Sequence, residues 1–305
     1  MERFELHILG CGSALPTMRH NPTAQVVARG DKLFMVDCGE GSQLQMRRSR
    51  LSFARLHHVF ISHLHGDHCF GLMGLISTLS LLGRTGTFHI HAPAELEGLL
   101  RPWLNFFCKG ASFQVEIHAF DTRRSSVVYE DRTMSVATIP LRHRMPCCGF
   151  LFREKPGLPH IRRDMVDYLG IPNYALRGIK EGNGWTTAEG QVIPHERLVT
   201  PAAPPRSYAY CSDTAYLPGN AVLLEGVNLL FHEATFQQSE AARAEETLHS
   251  TAAQAATLAR NCHAKKLVIG HYSARYDDEK GLLEEARAIF PETVPAYEGL
   301  CVPIE

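Results

Sequence analysis

The stretch HLHGDH, residues 63–68, places three histidines and an aspartate in six positions directly after an apolar run. Imidazole nitrogen and carboxylate oxygen are donors that zinc prefers. A tight loop turns alternate residues to one side, so His63 and His65 can hold one ion while Asp67 and His68 face a second. One loop supplies too few ligands for a hydrolytic centre, and further candidates close other apolar runs: His143 in PLRH, Asp213 in YCSDT and His271 in VIGH. Each taken alone is an ordinary polar residue at a strand end. Together they complete a two-metal set in which Asp213 can bridge, a design suited to in-line hydrolytic attack.

Such ligands need strand ends to carry them. FELHILGCG, TAQVVARGD and KLFMVDCGEG alternate β-type runs with glycine turns, and RLHHVFISH reads as a further buried strand. HLHGDH then sits between that strand and an apolar helix spanning about Phe70 to Gly83, where α/β folds place their chemistry. FHIHAP, QVEIHAF, SVVYED, SVATIPLRH and CCGFLFREK supply more strands. From Glu154 to Pro205 the composition shifts to Pro and Gly, which reads as an inserted, protruding arm. Alternation resumes with SYAYCSDT, VNLLFHEATF, a helix over about Thr251 to Asn261, KKLVIGH and a last helix, GLLEEARAIF. The expected fold is α/β, two related halves flanking the arm.

The 305 residues are 45% hydrophobic, enough to bury a sizeable core, and the net charge of -1 gives no overall pull toward nucleic acid or membrane. The FGLMGLISTLSLLG tract is too short and too polar to span a bilayer. Nine cysteines without a CxxC pair fit reduced thiols, and MERFELHILG lacks the pattern of a secretory signal, so a cytoplasmic protein is expected.

The loop, the separated His, Asp and His, and VDCGEG before them resemble the metallo-β-lactamase superfamily along nearly the whole chain. FHEATF (231–236), LHSTAAQAA (248–256) and GHYSARY (270–276) are similar to the motifs of its ribonuclease Z family. The resemblance implies a four-layer αββα metallo-β-lactamase fold across residues 1–305 with the 154–205 arm inserted. The implied activity is a zinc-dependent endoribonuclease that removes 3′ trailers from precursor tRNA after the discriminator nucleotide. It also implies two zinc ions per chain: His63, His65 and His143 on one, Asp67, His68 and His271 on the other, Asp213 shared, and Asp37 behind the ligands. His249 becomes the general acid, Glu233 its orienting partner, Asp67 the acceptor of the attacking group's proton, and Arg275 a phosphate contact. HST reads equally as a helix start capped by Ser250 or Thr251. A homodimer in which one arm serves the other subunit is implied as well.

Two departures stand out. The family's PxKxRN loop, which senses the tRNA 3′ end, here reads PTMRHN: Pro16 and Asn21 match, but Met18 and His20 replace basic residues and Arg19 lies between them. In the arm, the Gly-Pro element survives only in part in LGIPNYALRGIKEG, leaving Arg162, Arg163, Arg177 and Lys180 as phosphate contacts diluted by Asp164, Asp167 and Glu181. Two rivals remain, a small-molecule phosphodiesterase or esterase on the same fold, and an RNA-binding module with structural zinc.

Overall fold

The computed structural model describes residues 2–15 and 17–305; Pro16 lies outside the described residues. Its larger compact unit comprises residues 1–130, 135–152 and 206–305. Two seven-stranded sheets form it. The first runs in the order Cys301–Pro303, Phe4–Gly10, Ala24–Arg29, Lys32–Cys38, Leu56–Phe60, Phe88–Pro93 and Val115–Phe120. Its first half is antiparallel and its second half, from Lys32–Cys38 onward, is parallel. In the second sheet the order is Thr293–Pro295, Lys266–Gly270, Leu229–Glu233, Ser207–Cys211, Cys148–Glu154, Met134–Pro140 and Val127–Glu130, parallel among the first four.

Strands buried on both faces need continuous apolar runs, and KLFMVDC and KLVIG are such runs. In the first of these, Leu33 and Met35 face the apolar sides of helices Ser42–Arg48, Gly71–Leu81 and Glu95–Phe107. Phe34 turns the other way, and with Phe60 it meets Phe152 of the second sheet edge-on at 6.1 and 5.6 Å, while Phe60 also meets Phe150. The space between the sheets is thus filled by aromatic rings. Helices Ala252–Asn261 and Lys280–Ile289 pack on the second sheet, which completes the four layers.

The apolar helix occupies Gly71–Leu81, within the span expected, and Ala252–Asn261 starts on a capping box between Thr251 and Gln254. Helix Glu95–Phe107 was not among the elements read from the sequence, although Leu96, Leu100, Trp103 and Phe107 recur at helical spacing around Pro102.

The second compact unit comprises residues 131–134 and 153–205, so the Pro- and Gly-rich segment is joined by a short hairpin turn. It is not bare loop. Val166, Ile171, Ile179, Ile193, Leu198 and Val199 form a small core, and two short strand pairs, His160–Ile161 with Val199–Thr200 and Trp185–Thr186 with Val192–Ile193, close it.

One close approach locks the metal-type loop in place. The backbone of Gly39, just after strand Lys32–Cys38, lies against Gly71, where an added Cβ would collide with the Gly39 carbonyl oxygen. Gly71→Ala is expected to cost about 1–3 kcal/mol by overpacking, read as a lower urea midpoint with unchanged slope. Gly98→Ala, in open space within a helix, should be neutral or stabilising by up to about 1 kcal/mol.

Candidate metal centre and active site

Every ligand-type residue singled out in the sequence lies just beyond a strand. His63 to His68 follow Leu56–Phe60, His143 follows Met134–Pro140, Asp213 follows Ser207–Cys211 and His271 follows Lys266–Gly270. Asp37 and Glu233 lie within the last turns of their own strands. The seven ligand candidates fall into two groups, His63, His65, His143 and Asp213 in one, Asp67, His68 and His271 in the other.

Hydrogen bonds to the far nitrogen decide what each ring presents. His68 donates from Nδ1 to Asp37 at 2.7 Å, His143 from Nδ1 to the Leu248 carbonyl at 3.0 Å, and His271 from Nδ1 to Thr235 Oγ1 at 2.9 Å. The Ser62 hydroxyl donates to Asp37 at 2.8 Å, so it accepts from His63 Nδ1 at 3.0 Å. All four rings therefore turn an Nε2 lone pair inward. His65 joins them with Nδ1, 3.0 Å from His63 Nε2 and 3.3 Å from His143 Nε2.

Converging lone pairs repel one another unless a cation sits between them. Asp213 adds charge to both groups: Oδ2 lies 3.7 Å from His63 and His143 Nε2, while Oδ1 lies 3.3 Å from His68 and 3.1 Å from His271 Nε2. Asp67 Oδ2 is 3.4 and 3.5 Å from the same two nitrogens of the second group. In this second group Asp67 Oδ2, His68 Nε2, Asp213 Oδ1 and His271 Nε2 are all buried without a hydrogen-bond partner. Orphaned buried donors and acceptors are costly, and four of them aimed at one point fit a metal ion.

The charges agree. Burial lowers the His63 imidazole well below its ordinary pKa, and it lowers His65 and His143 as well, which favours the neutral ring, the form that can bind a metal. For Asp213 burial would favour the acid, but His271, His68 and His63 hold the carboxyl well below its usual range. His68 is the exception: Asp213, Asp37 and Asp67 surround it and push it up despite burial, so its Nε2 lone pair is freed when a cation takes the proton's place.

His249 is not aimed at either group's donors. Its Nδ1 lies 2.9 Å from Glu233 Oε1, and Glu233 also accepts from Thr235 Oγ1 at 2.7 Å and from the Ser250 backbone N–H. Burial works to lower the His249 pKa, but the Glu233 charge and hydrogen bond, aided by Asp213, raise it to about 9. Asp37, Leu248 and His271 all have positive φ, 54°, 57° and 62°, so backbone strain gathers around the site.

The ligand groups open into a cavity of about 640 Å³, also lined by His249, Phe70, Phe236, Arg144, Arg243 and Arg275. Arg275 lies 5.0 Å over the Phe236 ring and pairs with Glu240 at 2.7 Å. Arg144 and Arg243 had no motif around them in the sequence. Ser62, Leu248, Tyr210 and Thr235 hold the site by hydrogen bonds and are of ordinary type; Leu248 and Thr235 fall inside LHSTAAQAA and FHEATF, yet none of the four was given a ligand-holding role in the sequence. Arg19 and Asn21 line a different cleft with Met18 and His20. His20 reaches Glu279 at 2.8 Å and Glu298 at 3.1 Å, and Arg19 pairs with Glu279, so both side chains are engaged by carboxylates. In the arm, Arg162 pairs with Asp164, Arg163 with Asp167 and Arg177 with Glu181.

Residues 4–154 match the family model described as anti-Pycsar protein Apyc1. Over 304 residues, covering all of both chains, the sequence is 63% identical to ribonuclease Z of Bacteroides fragilis and 52% identical to that of Porphyromonas gingivalis. Among solved structures, the short form of human tRNase Z is similar with a TM-score of 0.71 and 24% identity over 99% of each chain. A metallo-β-lactamase fold protein from Bacillus subtilis gives 0.68 and 16%, again over 99% of each. These two likenesses speak to the fold.

Thr235→Val keeps the size and removes the hydroxyl that links His271 to Glu233. It is expected to weaken metal binding by about 10–100-fold, the usual cost of losing such a partner, measured by competition with a chromophoric chelator. An affinity equal to wild type would contradict the role.

Proposed function

The chain belongs to the ribonuclease Z family, and we infer that its buried histidine and aspartate groups are the hydrolytic centre of an endoribonuclease that processes tRNA 3′ ends. The reaction is phosphodiester hydrolysis of precursor tRNA after the discriminator nucleotide, leaving a 3′-hydroxyl on the tRNA and a 5′-phosphate on the trailer. The observation that carries this reading is a second catalytic set beside the ligands, His249 on Glu233, which a structural metal site has no use for.

Two zinc ions would suit the donors: His63, His65 and His143 would hold one, Asp67, His68 and His271 the other, and Asp213 would serve both. When bound, such ions supply Lewis acidity at the phosphoryl oxygens and acidify water. Asp67, on the cavity wall, accepts a proton from the attacking water. Arg275, Arg144 and Arg243 line the same cavity and offset charge on the phosphate, Arg275 by exchanging Glu240 for it. His249 protonates the leaving 3′-oxygen, held by Glu233 so that Nε2 is the donating atom. Its raised pKa keeps that proton on at neutral pH.

The 154–205 arm is proposed to grip the tRNA. Arg162, Arg163, Arg177 and Lys180 lie on it, and Tyr168 and Tyr174 are largely exposed. The three arginines would trade intramolecular carboxylates for phosphates. A homodimer in which each arm serves the partner's site, acting in the cytoplasm, completes the proposal. No helix among the described residues is long and apolar enough to cross a membrane.

Incubation with a precursor tRNA carrying a labelled trailer tests the function: a single cut after the discriminator supports it, and turnover of small phosphodiesters alone would transfer the assignment to the small-molecule rival. His249→Ala is expected to slow precursor cleavage by about 10²-fold or more with metal content unchanged. A nitrophenyl phosphodiester, whose leaving group needs little protonation, should be much less affected. Loss of metal in this variant would make His249 a ligand instead. Excising residues 154–205 should weaken precursor binding and leave nitrophenyl ester hydrolysis largely intact, whereas equal loss of both would make the segment structural.

A further inference from the structure

A second histidine-rich group lies on the first sheet and shares no residue with the catalytic cavity. The strand register carries it. His58 is paired with His89 and His89 with Glu116 across three neighbouring parallel strands, and one rung further His91 is paired with His118. Residues two apart on a strand share a face, so all five ligand-type side chains point the same way. The rings extend outward from the aromatic interior: Phe60 stacks on His91 at 4.5 Å, His91 on His118 at 4.8 Å, and His58 on His89 at 4.8 Å.

Donor atoms meet there at ligand spacing. His89 Nδ1 is 3.0 Å from His118 Nε2, and Glu116 Oε2 is 3.4 Å from the first and 3.8 Å from the second. Behind them His58 Nδ1 lies 3.1 Å from His91 Nε2. Tetrahedral bonds of about 2.0–2.1 Å separate ligand atoms by roughly 3.3 Å, and the catalytic groups span the same range, 3.0 to 3.7 Å. One N–H···N hydrogen bond would satisfy each ring pair without Glu116. Such bonds would not call for a carboxylate near both nitrogens of the outer pair.

We propose that His89, His118 and Glu116, backed by His58 and His91, form a third metal site, for a divalent transition ion, that staples the edge strand Val115–Phe120 to its neighbours. Nitrogen-rich donors with one carboxylate select zinc, nickel or copper over calcium or magnesium. The outer ligands are accessible, with His118 and Glu116 both exposed.

Zinc binding to the full-length protein, by equilibrium dialysis with elemental analysis, tests the proposal. Wild type should bind one equivalent more than His89→Asn/His118→Asn, and that variant should cleave precursor tRNA at the wild-type rate. Asp213→Ala/His271→Ala, which disrupts the catalytic groups, should keep the extra ion. Glu116→Gln, a near-isosteric change at an exposed position, should weaken the extra ion by about tenfold or more, since loss of even an outer partner costs about that much. Equal zinc in wild type and the double histidine variant, or an unchanged third affinity in Glu116→Gln, would overturn it.

Discussion

One carboxylate holds the candidate metal site together. Asp37 accepts from the Ser62 backbone N–H at 2.7 Å, the Ser62 hydroxyl at 2.8 Å, the Tyr210 hydroxyl at 2.5 Å and His68 Nδ1 at 2.7 Å. Asp37 and Ser62 lie at the ends of first-sheet strands, His68 lies in the short helix Gly66–Cys69 that follows one of them, and Tyr210 lies in a strand of the second sheet. A buried carboxylate is tolerable only when it is saturated with donors, and saturating this one requires both sheets to meet in one arrangement. The left-handed backbone at Asp37 is part of what that arrangement costs.

From this junction the orientation of the rings follows. His68 is turned by Asp37 directly and His63 through Ser62, while the Leu248 carbonyl and the Thr235 hydroxyl turn His143 and His271 in the same sense. Each acceptor fixes a tautomer, and the tautomers point lone pairs at Asp213. Thr235 also joins His271 to Glu233, so His271 and His249 share one hydrogen-bond chain. Separation of roles comes from charge environment: neutral rings in the first group, a raised imidazole on Glu233.

Much of the centre was legible because its chemistry is local. HLHGDH carries four donor-type residues in six positions, and His143, Asp213 and His271 each close an apolar run, so their types and their place at strand ends stand in the sequence itself. The acceptors behind them were not. Serine, threonine, tyrosine and a main-chain carbonyl occur everywhere, and only tertiary distance distinguishes these from others. The same holds for Arg144 and Arg243. FHIHAP and QVEIHAF read as strands, but that their histidines align depends on register across three strands, which alternation within one strand does not reveal. In the 154–205 segment Pro and Gly dominated the reading, while its apolar residues, spread as Val166, Ile171, Ile179 and Ile193, lacked a helical or strand period yet form a core.

Ring orientation imposed by buried acceptors decides which nitrogens can reach a metal. Long-range proton to nitrogen-15 correlation of the histidine side chains in the zinc-loaded, full-length protein reads that orientation directly. His63, His68, His143 and His271 are predicted to carry their proton on Nδ1 with Nε2 shifted by metal, and His65 to show the opposite pattern. A proton on Nε2 of any of those four rings in the loaded protein would contradict it.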